Sequence, residues 1–289
     1  MEPIPLKAIA PSDAFPADEK AAESLSPPPG HRRIRFTIAF DGTAYQGWQR
    51  QKTGVGVQEK VEQALARLFP AAPILHGSSR TDAGVHALGL TAHADIPAAE
   101  CRIPMRRLPL ALNAHLPEDI RVLEARRCPP GFHARFSATG KEYRYQVWNR
   151  PAMNPLLRTQ AWHVPRALNL EAVRRAAQAF AGKHDFLAFS ANPGYARRFT
   201  ARTIYECSVR RRGGLWTFVI RGDGFLYRMC RGIVGTLVQV GLGRFAPEDI
   251  PAMLASRDRR LAGMSAPPHG LILWRVFYGS PPKARAAAE

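Results

Sequence analysis

Ile34-Arg35-Phe36-Thr37-Ile38-Ala39-Phe40 places a large apolar side chain at every second position, and Val57, Val61, Leu65 and Leu68 then recur at helical spacing. The first period is that of a strand with one buried face, the second that of a helix with one buried stripe. Outward from this pair, a strand is predicted around Ile74 and an alternating strand carries Leu90, Ala92, Ala94 and Ile96. A helix over roughly 104–114 and a strand at 120–126 complete the order βαββαβ. The second half repeats it with a strand at 141–149, a helix striped by Leu170, Val173, Ala177 and Phe180, and two strands joined at Arg211-Arg212-Gly213-Gly214, a pair of glycines suited to a hairpin turn. A helix striped by Phe225, Met229, Ile233 and Leu237 ends at Gly241, a short helix starts with Pro247 at its first position, and Leu271–Tyr278 closes the chain as a strand.

The predicted fold class is therefore α+β: two tandem βαββαβ halves, ferredoxin-like and RRM-like in element order, whose antiparallel sheets flank a central basic cleft. Residues 1–30, rich in Pro, Ala and acids, read as a disordered tail, 31–137 as an N-terminal domain, 138–280 as a C-terminal domain and 281–289 as a flexible tail. Neither half carries the aromatic ribonucleoprotein signature, so stacking of single-stranded RNA on an open sheet is not the expected mode.

Charge points to the partner. The chain of 289 residues holds 41 Lys and Arg against 23 Asp and Glu, a net charge of +18. Five of the acids and two of the bases lie in residues 1–30, which leaves the remainder at +21. Arginine dominates, with Arg197, Arg198, Arg202, Arg210, Arg211, Arg212, Arg221, Arg228 and Arg231 in one stretch, and forked guanidinium groups suit phosphate. Nucleic acid is the expected partner. No apolar run approaches the ~18 residues of a membrane helix, and the N-terminus lacks a signal-peptide pattern, so no membrane association and a cytoplasmic location are expected. Cys101, Cys128, Cys207 and Cys230 show no pairing pattern for zinc or disulfides and read as small buried apolar residues.

The run Ser78-Ser79-Arg80-Thr81-Asp82-Ala83-Gly84-Val85-His86-Ala87 crowds an arginine, one carboxylate and a glycine between apolar strands. On extended backbone Arg80 and Asp82 project to the same side, and a nearby guanidinium keeps a partly buried carboxylate ionised. Asp82 is thus the candidate reactive group. A turn-forming aspartate beside a surface arginine is the plain alternative. His76, His86 and His93 with Asp82 and Asp95 open a second reading, a metal-dependent RNA phosphoesterase, although no ligand-type spacing supports it. A noncatalytic RNA-binding protein is the third.

Nine segments appear in the order of a known family: Phe40-Asp41-Gly42-Thr43 with Tyr45-x-Gly47-Trp48-Gln49; Val57-Gln58; Arg80 to His86; Leu112-Asn113 with Leu116-Pro117-x-Asp119-Ile120; Phe132 to Ser137; Lys141-x-Tyr143-x-Tyr145; Asp185-Phe186 with Phe189; Phe225-x-x-x-Met229-x-Arg231-x-Ile233-Val234-Gly235; and Gly270-Leu271-x-Leu273. From about residue 34 to 278 the chain resembles the tRNA pseudouridine synthase A family. The resemblance implies isomerisation of uridine to pseudouridine at tRNA positions 38, 39 and 40 in the anticodon stem-loop, with no cofactor and no metal, by a homodimer whose subunits jointly hold one tRNA. It makes Asp82 the catalytic aspartate, Arg231 its ion-pair partner and Tyr143 the aromatic that packs on the target base and offers a hydroxyl for proton transfer. Arg80 then helps hold the flipped nucleotide, Leu271 lines the base pocket, and Arg135 belongs to the substrate-binding set. Ser79 stands where the family has glycine, and Gly232 where it has a larger or polar residue.

Overall fold

The computed structural model describes residues 26–71, 73–192 and 199–280. Most of the expected N-terminal tail, the expected tail 281–289, and Arg197 and Arg198 lie outside the described residues.

Strand β1 (His31–Phe40) buries Ile34, Phe36, Ile38 and Phe40 on one side, as its alternation requires. Arg33, on the other side, is also buried, because its guanidinium makes a two-pronged ion pair with Asp95 at 2.7 Å. Helix α1 (Val57–Leu68) turns Val57, Val61, Ala64 and Leu65 into the core. The strand expected around Ile74 shrinks to β2 (His76–Gly77), and Ile74 itself is exposed. β3 (His86–Pro97) follows. Helix α2 (Leu108–Asn113) is shorter than expected, residues 104–107 forming turns before it. It stops where the Asn113 amide leaves the helix to pair with both backbone groups of Val122, at 3.0 and 2.8 Å, on β4 (Ile120–Arg127).

The second half begins with β5 (Ala138–Trp148), against which the two-residue β6 (Trp162–His163) pairs in parallel. Helix α3 (Leu170–Gln178) is capped by the Asn169 side chain, which accepts the Ala172 N–H at 3.1 Å. β7 (Gly182–Asp185), unanticipated by periodicity, adds an edge to β8 (Ala201–Arg212), and β8 turns into β9 (Leu215–Gly222) through Gly213 at φ +61°. Helix α4 (Met229–Gly241) is buried along its whole length. It begins at Met229 rather than Phe225, because Arg228 sits in the left-handed region at φ 59° and breaks the helical path. A side chain at Gly232 would place Cβ 2.2 Å from the Phe189 carbonyl, so the absence of a larger residue lets α4 lie directly on that backbone. Helix α5 (Asp249–Ser256) starts two residues after Pro247, with Asp249 accepting the Ala246 N–H at 2.8 Å, and β10 (Leu271–Tyr278) closes the fold.

The protein is α+β, built on one open, mostly antiparallel sheet in the order β4-β1-β3-β10-β5-β9-β8-β7. The strands of the two expected halves lie side by side and are continuous with one another across β3 and β10. β10 returns to the middle and pairs with both halves, parallel to β3 at His86 and Ala87 and antiparallel to β5 along its length. The halves therefore share a continuous hydrogen-bonded seam, and their buried residues merge into a single core. Cys207 and Cys230 are buried as expected, whereas Cys101 and Cys128 are only half-buried.

Candidate active site

A cleft of about 530 Å³ opens above the seam, within the ~300–1,000 Å³ usual for ligand sites. Both halves line it. The first contributes the loop 78–82, His133, Arg135 and Phe136; the second contributes Lys141, Tyr143, the segment 223–230 and Leu271.

The loop between β2 and β3 carries Asp82 and is held at both ends by backbone. Thr81 accepts the Trp48 N–H at 3.2 Å, Gly84 at φ +73° donates to the Tyr45 carbonyl at 3.2 Å, and Val85 donates back to Asp82 at 3.1 Å. Gly47, at φ +88°, lets this happen, since a Cβ there would lie 2.3 Å from the Thr81 carbonyl. The Tyr45-x-Gly47-Trp48 segment is thus the backing of the loop, fixed in turn by the Tyr45 hydroxyl donating to Asp119 at 2.7 Å. At the other end His86 sets Nδ1 3.0 Å from the Gly42 nitrogen and 3.1 Å from Asp41 Oδ1, and Nε2 3.0 Å from the His269 carbonyl oxygen. One imidazole so ties the loop to the turn before Leu271.

Asp82 meets Arg231, whose Nη1 lies 2.9 Å from Oδ2. Arg231 stands on the first turn of α4 and is itself held by donating from Nε to the Ala266 carbonyl at 2.7 Å. The guanidinium that pairs with Asp82 is therefore the distant Arg231; Arg80, two residues away in sequence, is exposed on the cleft wall. Tyr143 and Tyr145 project from the same side of β5, with different outcomes. Tyr145 is core, its hydroxyl donating to Pro267 at 2.8 Å, while Tyr143 lies on the cleft floor with Phe225 edge-on to its ring at 5.1 Å. Burial pushes the Tyr143 phenol far above its ordinary range, so it is a proton-bearing donor at neutral pH. Leu271, buried at the start of β10, adds an apolar wall, and Arg135 is exposed at the far end beside Phe136.

Lys141, which no pattern in the sequence assigns to the site, lines it too. Its Nζ donates to the Ser78 carbonyl at 2.8 Å, tethering the start of the Asp82 loop to β5. Burial, then Arg135 and Arg202, lower it to about 8. Only its position two residues before Tyr143 on one strand hints at this in the sequence. Arg228 lines the cleft from its left-handed position with its guanidinium 4.9 Å from the Tyr227 ring centre; nothing in the sequence marks that conformation.

The ligand set of the metal reading does not assemble. His76 and His93 stack at 5.0 Å, but His86 is bonded to Gly42 and His269, Asp95 to Arg33 and Asp82 to Arg231. Among the described residues no group of three or more His, Cys, Asp or Glu is placed to hold a metal, and no helix is long and apolar enough to cross a membrane.

The site thus combines a paired carboxylate, a protonated phenol, an apolar wall and a cationic rim in a cleft. The family model described as tRNA pseudouridine synthase matches residues 37–137 and 176–279. The chain is 42% identical over 244 residues to the tRNA pseudouridine synthase A of Methylacidiphilum infernorum, covering 84% of this chain and 94% of that protein. It is 44% identical over 250 residues to the protein of the same name from Bacillus pumilus, covering 85% and 99%, and 44% over 246 residues to that of Syntrophotalea carbinolica, covering 85% and 96%. The chain belongs to the tRNA pseudouridine synthase family.

Proposed function

We infer that this protein isomerises uridine to pseudouridine in tRNA, at positions 38, 39 and 40 of the anticodon stem-loop. The observation that carries the reading is the Asp82–Arg231 pair at 2.9 Å beside Tyr143 in a cleft of a chain of this family.

The reaction breaks the C1′–N1 bond, turns the uracil and rejoins C1′ to C5, with the C5 proton released and N1 left protonated. No atom is gained or lost, so the chain needs an ionised carboxylate, a pocket that retains the free base and a proton donor. Asp82 is the carboxylate and Arg231 orients it. Tyr143 presents a flat apolar face to the base and its phenol O–H to a ring atom. Leu271 closes the pocket against water. The target nucleotide must leave its stack, at a cost of a few kcal/mol, and Arg80 and Arg135 on the rim offset it by holding the displaced backbone.

Several finer features belong to the same reading. The sheet order β4-β1-β3 followed by β10-β5-β9-β8 supports two ferredoxin-like units in tandem, 31–137 and 138–280, joined at β3 and β10. The enzyme works as a cytoplasmic homodimer that shares one tRNA and uses no metal or small-molecule cofactor. Mapping pseudouridine in tRNA from cells with and without the gene tests the assignment: loss at positions 38–40, restored by wild type but not by Asp82→Asn, is expected, and unchanged tRNA overturns it. Light scattering with and without tRNA checks the dimer.

A further inference from the structure

Residues 133–137 form a turn across one end of the cleft whose hydrogen bonding is unusual. The Nδ1 of His133 accepts the backbone N–H groups of Arg135 at 3.1 Å and Phe136 at 3.2 Å. The His133 N–H donates to the Ser137 hydroxyl, and the Ser137 N–H donates back to the His133 carbonyl, both at 2.9 Å. An imidazole here does what an aspartate or serine does at a helix N-cap. A second one comes from the sheet: Nδ1 of His93 on β3 accepts the Ala134 N–H at 3.2 Å. Three consecutive N–H groups of the turn therefore end on ring nitrogens. The turn is clamped from below as well, by the Tyr278 hydroxyl on the Ala134 carbonyl and Arg33 on the Phe132 carbonyl, each at 2.7 Å.

A ring nitrogen accepts only when it carries no proton, so these bonds require both rings neutral with hydrogen on Nε2. The surroundings enforce this. Burial, then the neighbouring His133 and Arg33, hold His93 down to about 2, and burial, then His76 and Arg33, hold His133 to about 4. What the turn displays is Arg135 and Phe136, both exposed at the cleft, with the guanidinium 5.6 Å from the Phe136 ring centre and that ring 4.4 Å from His133.

We propose that His133 and His93 are positioning residues: their imidazoles cap the 133–137 turn and so preset Arg135 and Phe136 for the incoming tRNA. Presetting removes the ordering cost that a loose loop would impose on binding. The role rests on Arg135 belonging to the substrate-binding set.

Steady-state kinetics with tRNA test it on His133→Asn, His133→Phe, Arg135→Ala and the His133→Phe/Arg135→Ala double variant. His133→Phe keeps an aromatic ring but loses the acceptor, and is expected to raise KM about tenfold with kcat within about twofold of wild type. His133→Asn, whose side-chain carbonyl accepts the same N–H groups, is expected to recover near-wild-type KM. In the Arg135→Ala background His133→Phe should add less than about twofold to KM, since it acts through that residue. Should His133→Phe not fold, judged by its circular dichroism and melting, His93→Leu replaces it in the same cycle, with the same pattern expected. Effects that multiply in the double variant, or an Asn variant as defective as Phe, overturn the positioning role. A wild-type KM for Arg135→Ala overturns the substrate contact itself and the positioning role with it, whereas an Arg135→Ala defect beside a silent His133→Phe overturns the positioning role alone.

Discussion

Asp82 and Arg231 lie 149 positions apart in the chain and 2.9 Å apart in space. The pair straddles the two halves: Asp82 hangs from the loop before β3, Arg231 from the first turn of α4, and the β3–β10 seam holds the two elements in place. The site therefore exists only where the two halves of the sheet meet.

Replacing Asp82 by Asn keeps the shape and the hydrogen bond from Arg231 but removes the charge. Turnover is expected to fall to background, with melting temperature and tRNA affinity close to wild type. Release of tritium from C5-labelled uridine in tRNA measures the first; appreciable release by Asp82→Asn refutes the catalytic assignment.

Arg231→Met has a different signature. It leaves the Asp82 carboxylate, only 14% exposed, without its cation and the Ala266 carbonyl without its donor. Breaking a buried ion pair costs about 3–5 kcal/mol, so a clear fall in the urea midpoint is expected, together with a loss of kcat far larger than the loss of tRNA affinity. Equal losses of kcat and affinity would show that Arg231 serves binding instead.

Lys141→Met separates tethering from stability. The substitution cuts the bond to the Ser78 carbonyl but also removes a cation whose burial is costly. Turnover should drop about 10- to 100-fold while the melting temperature stays level or rises. A strongly destabilised variant with intact kcat contradicts the tether.

The histidines give a pH signature. Folding lowers the protonation equilibria of His93 and His133 from 6.5 to about 2 and about 4. Below pH 6.5 the unfolded chain therefore binds protons that the folded chain refuses. Stability from these rings is complete above that pH and is lost as the pH falls toward 4. Urea midpoints measured from pH 7 to pH 4.5 should decline, and His133→Asn, with one such ring removed, should decline less steeply. Parallel curves for the two proteins would argue against a neutral His133.

The rim predicts a salt effect. Arg80, Arg135 and Arg228 line the cleft with few acids to oppose them. Binding of tRNA should release counterions, so that log affinity falls linearly with log salt at about −0.7 to −0.9 per phosphate contact. Filter binding across a salt series reads the slope, and a flat response would remove the rim from the RNA footprint.

Much of this molecule is written in local pattern. Alternation marked β1 and β3, helical spacing marked α1, α3 and most of α4, and the two glycines marked the β8–β9 hairpin, because burying one face of a strand or helix demands those periods. The motif around Asp82, together with its resemblance to a known family, singled out Asp82, Tyr143 and Arg231. What periodicity does not carry is which strand edges meet. The parallel pairing of β3 with β10 joins the halves into one sheet and depends on residues 86–87 and 272–273 finding each other across the chain. The same holds for β2 and β7, too short to show a period, and for the start of α4, set by the backbone of Arg228. His133 and Lys141 show the division most clearly. Both stand in family-like motifs, yet an imidazole capping its own turn and an ammonium bonded to the Ser78 carbonyl are contacts made by folding. Residue type supplies the donor or acceptor, and only the tertiary structure decides what it faces.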